Sequence, residues 1–240
     1  MYVVISLVMA VAPALFLLFY YNRQDALKPE PKGLISKIFF FGILIIIPVF
    51  IIELILDIYY AAFFSSIPLI YYFFKSFVVA SASEELFKLL VVMWFAYKSP
   101  HFDEAMDGII YCVVASLGFA CFENVLYVWD KGVDVALLRA FTAVPLHAIA
   151  SGIMGYYIGK AKFAGTKHEE KALIRKGYFV AVIIHGVYDF VLFGIPVLTI
   201  YPALLIIPII IGGFINLRKK IKIAINDDIL QGRTLAPGEA

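Results

Sequence analysis

Two adjacent glutamates, Glu84 and Glu85, stand inside a long apolar run, with Lys88 one helical turn beyond. Later apolar runs carry Glu123 with Asn124, then His147, then His185 with Asp189. Carboxylates and imidazoles are the side chains that take up and release protons, so the set suits activation of a water molecule for hydrolysis. Glu84 and Lys88 are i and i+4, on one face of a helix, and can pair in a low dielectric. His185 and Asp189 share that spacing, and the carboxylate could fix the imidazole's orientation and tautomer. Glu84 and Glu85 project about 100° apart on a helix, which gives them different tasks, one catalytic and one bracing.

The elements that must hold these groups are membrane helices. The 240 residues are 63% hydrophobic and only 16% charged, against about 45–50% and about 25% in soluble domains. Seven stretches are long enough to span a bilayer core: 2–21, 34–56, 69–97, 107–129, 136–159, 177–193 and 196–217, each near or above the ~20 residues required. The expected fold is therefore an all-α polytopic membrane helical bundle of about seven transmembrane helices. It forms one integral-membrane domain over 1–240, with a cytoplasmic tail from about 218. Only Gly194 and Pro196 separate the last two spans. Cys112 and Cys121 lie nine apart, about 13 Å along a helix, too far for a disulfide.

Basic residues follow the first, third, fifth and seventh spans: Arg23, Lys28, Lys32 and Lys37; Lys98; Lys160 to Lys176; Arg218 to Arg233. Short cytoplasmic loops hold such an excess, so the N-terminus is expected outside and the C-terminus in the cytoplasm. Lys75, Lys131 and Arg139 fall to the other side. A net charge of only +2, with its basic clusters accounted for by topology, disfavours nucleic-acid binding.

An ionisable side chain within the bilayer costs about 2.5–3.5 kcal/mol even on a lenient scale. A lone histidine or glutamate there is more often a packing or hydrogen-bonding residue, but four helices carrying such groups at similar depth argue for function. His147, Ser151, Gly155 and Gly159 form a four-residue ladder of small groups, which equally suits close helix approach. Glu53 and Asp57, near a helix end, read as structural. His101, Asp103 and Glu104 read as solvated loop residues, and His168 has no role. Two other classes use the same residue types. A proton-coupled transporter would use them as a relay but would often show related halves, which are absent, and a non-catalytic scaffold would keep them for structure.

EELFK, DGIIYCVVASLGFACFEN, PLHAIASGIMGYYIGKAKF and HGVYDF, in this order on successive helices, resemble the PrsW family of intramembrane proteases, relatives of the CAAX prenyl endopeptidases and abortive-infection proteins. The resemblance extends to the NRQDALKPEP loop and departs at Cys112, where a glycine is expected. It implies a multi-pass protein of the bacterial cell membrane that makes the first, extracytoplasmic-side cut in a single-pass anti-sigma factor during envelope stress. By the same resemblance Glu84, Glu85, Glu123, His147 and His185 are site residues, with Lys88, Asn124 and Asp189 in support. A metal stays open. His147, His185 and one of Glu85 or Glu123 would make a His2Glu set of the kind that holds one Zn2+. No H-E-x-x-H helix is present, however, and Lys88 is an unfavourable neighbour for a cation.

Overall fold

A computed structural model describes residues 2–25, 28–198 and 200–234. Two residues of the NRQDALKPEP loop, Ala26 and Leu27, and tail residues 235–240 lie outside the described residues. The fold is an all-α polytopic membrane bundle. Among the described residues six stretches are long and apolar enough to cross a membrane: Ser6–Asp25, Lys32–Phe64, Ala105–Lys131, Val133–Lys162, Lys167–Phe193 and Tyr201–Leu230. The first overlaps α1 (Tyr2–Asn22), and the second contains α2 (Lys32–Leu44) and α3 (Ile46–Phe64). Pro48 has no N–H to give the preceding turn, and the two helices meet there at Ile45.

The expected span 69–97 is helical but divided into α4 (Pro68–Phe74), a π-helical segment Lys75–Ala82 and α5 (Ser83–Phe95). It runs the length of the bundle. Lys75 at one end is 3.1 Å from Asp57 on α3. Beyond the other end, the Tyr97 carbonyl accepts from Lys162 and its hydroxyl donates to Glu170.

The next stretches are α6 (Ala105–Lys131), α7 (Val133–Phe141), α8 (Ala143–Lys162) and α9 (Lys167–Phe193). Helix α6 is the axis of the fold, packed against α1, α2 and α8 and buried continuously from Ala105 to Cys121. Its approach to α8 depends on glycine. A Cβ on Gly108 would strike the backbone of Gly155 and Gly159, and one on Gly159 would strike Ala105. The small-residue ladder of α8 therefore has a packing role along its lower half. Cys112 and Cys121 are buried and free. By contrast α3 leaves Phe50, Ile55, Ile58 and Phe63 exposed, as suits a surface facing lipid tails.

Two expected spans are redrawn. The fifth breaks at Thr142, so α7 is a separate helix against α1 and α8 starts only at Ala143. The seventh, placed at 196–217, becomes the short helix α10 (Ile195–Leu198), a 3-10 turn Tyr201–Leu205 and α11 (Ile206–Leu230). Pro196, Pro202 and Pro208 cause the shift, because proline is tolerated only where its missing N–H has no partner to satisfy. Arg218, Lys219, Lys220 and Lys222 consequently prolong α11 instead of starting a tail. Lys220 lies over the Tyr156 ring, 4.2 Å from its centroid.

Candidate active site

The π-helical segment ends at Ala82 and sets Glu84 and Glu85 in the first turn of α5. Such widened turns recur at functional sites. Helix α6 brings Glu123, α8 brings His147 in its second turn, and α9 brings His185 and Asp189. The two imidazoles meet edge to face, with centroids 4.9 Å apart.

Lys88 joins the parts. It is fully buried, and its Nζ lies 3.0 Å from Glu84 Oε2, 2.8 Å from Glu85 Oε1 and 3.0 Å from His147 Nδ1. An ammonium group has only donors, so Nδ1 of His147 accepts, and Nε2 carries the proton that it gives to Glu123 Oε2 at 2.9 Å. Glu85 is saturated: Oε1 also takes His185 Nδ1 at 3.0 Å, and Oε2 takes the Ser151 hydroxyl at 2.7 Å. Ser151 thus serves the site while Gly155 and Gly159 serve the packing. Glu84 is the freer of the pair, with Oε2 3.7 Å from His147 Nδ1 and 4.0 Å from His185 Nε2. Asp189 lies on the far side of His185, 3.4 Å from Nε2.

Two groups missed in the sequence complete the cluster. Arg139, which charge counting assigned to topology, reaches back from α7. It gives Nη2 to Glu123 at 2.6 Å and Nε to Asn124 at 3.1 Å, and lies over the Tyr127 ring. Glu53, read as structural and interfacial, lines the site cavity, and its buried Oε1 has no hydrogen-bond partner among the described residues. A carboxylate one turn from an interfacial Asp57 gives no sequence signal for this. Asn124 behaves differently from its expected place: its amide donates to the Ala10 carbonyl on α1 at 2.8 Å, so it steadies Arg139 from behind the cavity. Asp57 bonds Lys75 and Tyr71; His101 and His168 are exposed. Glu104 corrects the solvated reading, since it is buried and caps α6.

A cavity of about 230 Å³ is lined by Glu84, Glu123, Arg139, His147, His185 and Asp189. Glu53, Glu84 and Glu123 also line a second space of about 260 Å³ between α3 and α6, whose walls include the lipid-exposed Phe50 and Leu126. The acidic groups are thus reached from the side of the bundle. Residues 30–212 match the family described as PrsW family intramembrane metalloprotease. The chain belongs to the PrsW family. It is 38% identical over 182 residues to "Protease PrsW" of Geobacillus kaustophilus, covering 76% of this chain and 77% of that one. To "Protease PrsW" of Bacillus subtilis it is 36% identical over 185 residues (76% and 80%), and to that of Clostridioides difficile 34% over 188 residues (77% of each). No solved structure matches. As a PrsW-family member the chain is a peptidase and a multi-pass bacterial membrane protein.

The family description raises a metal. Glu84, His147 and His185 each offer one ligand atom, all within 4.8 Å of one another; the glutamate of this trio is Glu84, where sequence reasoning named Glu85 or Glu123. Two imidazoles and a carboxylate suit catalytic zinc in type. The arrangement around them does not. His147 is engaged at both nitrogens, by Lys88 and by Glu123, so no lone pair is left for an ion, and the Lys88 ammonium already stands against Glu84. As arranged, these residues hold a lysine where a PrsW metal would sit.

Proposed function

We propose that the chain is an intramembrane endopeptidase in which Glu84 activates water without a metal. The observation that carries this is the division between the two glutamates. Glu85 spends both oxygens on Lys88, His185 and Ser151, whereas Glu84 lines the cavity. Glu84 takes a proton from a water that attacks the scissile carbonyl carbon. Arg139 and His185, lining the same cavity, donate to the oxyanion that forms. The proton on Glu84 then passes to the departing amide nitrogen as the C–N bond breaks, leaving a carboxylic acid, whose proton is then lost to water, and an amine. Lys88, 3.0 Å away, holds Glu84 in place between turnovers.

The substrate is a single-pass membrane protein that enters sideways through the opening between α3 and α6. By the family resemblance it is an anti-sigma factor, cut on its extracytoplasmic side. The test is cleavage of such a substrate by purified enzyme in lipid nanodiscs. Glu84→Gln should abolish cleavage in a protein that still unfolds cooperatively, while chelator should have no effect and elemental analysis should find well under one equivalent of zinc. Zinc at one equivalent, with activity lost to chelator and restored by zinc, would overturn the metal-free mechanism. Normal cleavage by Glu84→Gln would overturn the role of Glu84.

A further inference from the structure

At the opposite end of the bundle from the active site, three carboxylates from three segments converge. Asp25 follows α1, Glu30 precedes α2, and Asp107 lies in the first turn of α6. Each offers an oxygen, and these oxygens lie within 4.8 Å of one another. Asp25 is only 5% exposed and Asp107 not at all. Yet Oδ2 of Asp25 and Oδ1 of Asp107 are buried with no hydrogen-bond partner among the described residues.

The cluster is built and oriented. Oδ2 of Asp107 accepts the N–H groups of Asp103 and Glu104, both at 2.8 Å, which fixes the carboxylate beside Glu30. The Tyr111 hydroxyl donates to Glu30. The nearby cations are engaged elsewhere. Lys28 pairs with Asp103 at 2.7 Å, Arg233 pairs with Asp228 at 2.6 Å, and among the described residues no basic side chain forms an ion pair with Asp25, Glu30 or Asp107.

We propose that Asp25, Glu30 and Asp107 bind one hard divalent cation, Mg2+ or Ca2+, that ties the end of α1 to the starts of α2 and α6. The donors are all oxygen, which selects hard cations over zinc. Three oxygens that all lie within 4.8 Å of one another are near enough to share one ion at oxygen distances of about 2.0–2.6 Å. Because α1 and α2 flank α6, the ion would brace the axis that carries Glu123 without touching the catalytic groups.

The experiment uses the full chain in detergent micelles after chelation and desalting. Mn2+ serves as the spectroscopic probe by electron paramagnetic resonance, with Mg2+ and Ca2+ as separate competitors, and thermal unfolding is followed in parallel. Saturable Mn2+ binding, displaced by Mg2+ or Ca2+ and accompanied by a rise in Tm, is the expected result, and the better competitor identifies the ion. Asp25→Asn should weaken Mn2+ at least tenfold and remove the rise in Tm. Glu30→Gln should do the same and carries the test if Asp25→Asn fails to fold. Glu84→Gln should leave both signals intact. No saturable binding, binding unchanged in both carboxamide variants, or binding lost only in Glu84→Gln would overturn the proposal.

Discussion

Nζ of Lys88 and Nδ1 of His147, fifty-nine positions apart in the chain, lie 3.0 Å from each other. That contact sets the tautomer of His147 and, through it, the hydrogen bond to Glu123. It also places a fixed positive charge against both glutamates of α5. Removing it leaves two buried carboxylates facing each other, and loss of one partner from a buried ion pair costs about 3–5 kcal/mol. Lys88→Met keeps the side-chain length, and it should lower stability by about that amount and activity at least a hundredfold. Freed from Lys88, His147 and Glu84 should also gain affinity for zinc, so elemental analysis of Lys88→Met against the parent reads the competition directly. Equal zinc content in both would mean that Lys88 does not hold the cation's place.

His185 gives Nδ1 to Glu85 and turns Nε2 toward Asp189, 3.4 Å away. Removal of the ring and removal of the neighbouring charge should therefore differ. His185→Ala should abolish cleavage, whereas Asp189→Asn retains an oxygen that accepts from Nε2 and should cost about tenfold in kcat with little change in KM. The comparison is a pair of Michaelis–Menten curves. Equal, complete loss in both variants would make Asp189 a direct participant in the chemistry.

The closeness of α6 and α8 has its own test. A methyl group on Gly155 would run into the backbone of Gly108 and Ile109, and overpacking of this kind costs about 1–3 kcal/mol. Gly155→Ala should lower the thermal transition measurably and reduce activity as His147 is displaced from Lys88. Gly33 of α2 has nothing within 4 Å of an added Cβ, so Gly33→Ala should be neutral or stabilise by up to about 1 kcal/mol.

What could be read from the chain follows a physical divide. Glu84, Glu85, His147 and His185 stood out because an ionisable group deep in an apolar run has no inexpensive alternative to a partner. Glu53 and Arg139 did not, because near a span end a charge can equally face interfacial water. Their part in the cluster depends on tertiary facts: α7 turning at Thr142, and α3 lying along α6. Asn124 carried the same signal as Glu123, yet only its packing partner, Ala10 on α1, shows that it supports Arg139 from behind. Asp25, Glu30 and Asp107 stand far apart along the chain in no spacing that marks a site, and only the assembled bundle brings them together. The seventh span was misplaced because apolar content continues through Pro196, Pro202 and Pro208 while regular helix does not.

The redrawn start of α8 sharpens where a substrate is cut. With the helix beginning at Ala143, His147 lies four residues in, roughly 6 Å from that end at 1.5 Å per residue. Asp189 is likewise four residues from the end of α9 at Phe193, and Glu123 eight from the end of α6 at Lys131. All three ends belong to the side of the bundle that carries the Asp57–Lys75 pair, opposite the end where basic loops gather. An orientation with those loops in the cytoplasm would put these groups in the extracytoplasmic half of the membrane. A substrate helix entering between α3 and α6 would meet them after unwinding only its outermost turns, which spares most of its backbone hydrogen bonds from exposure to lipid. The new terminus of the product, mapped by mass spectrometry, should therefore fall within about two turns of the extracytoplasmic end of the substrate's apolar segment. A terminus in the cytoplasmic half of that segment would show that the orientation, or the assignment of the site, is wrong.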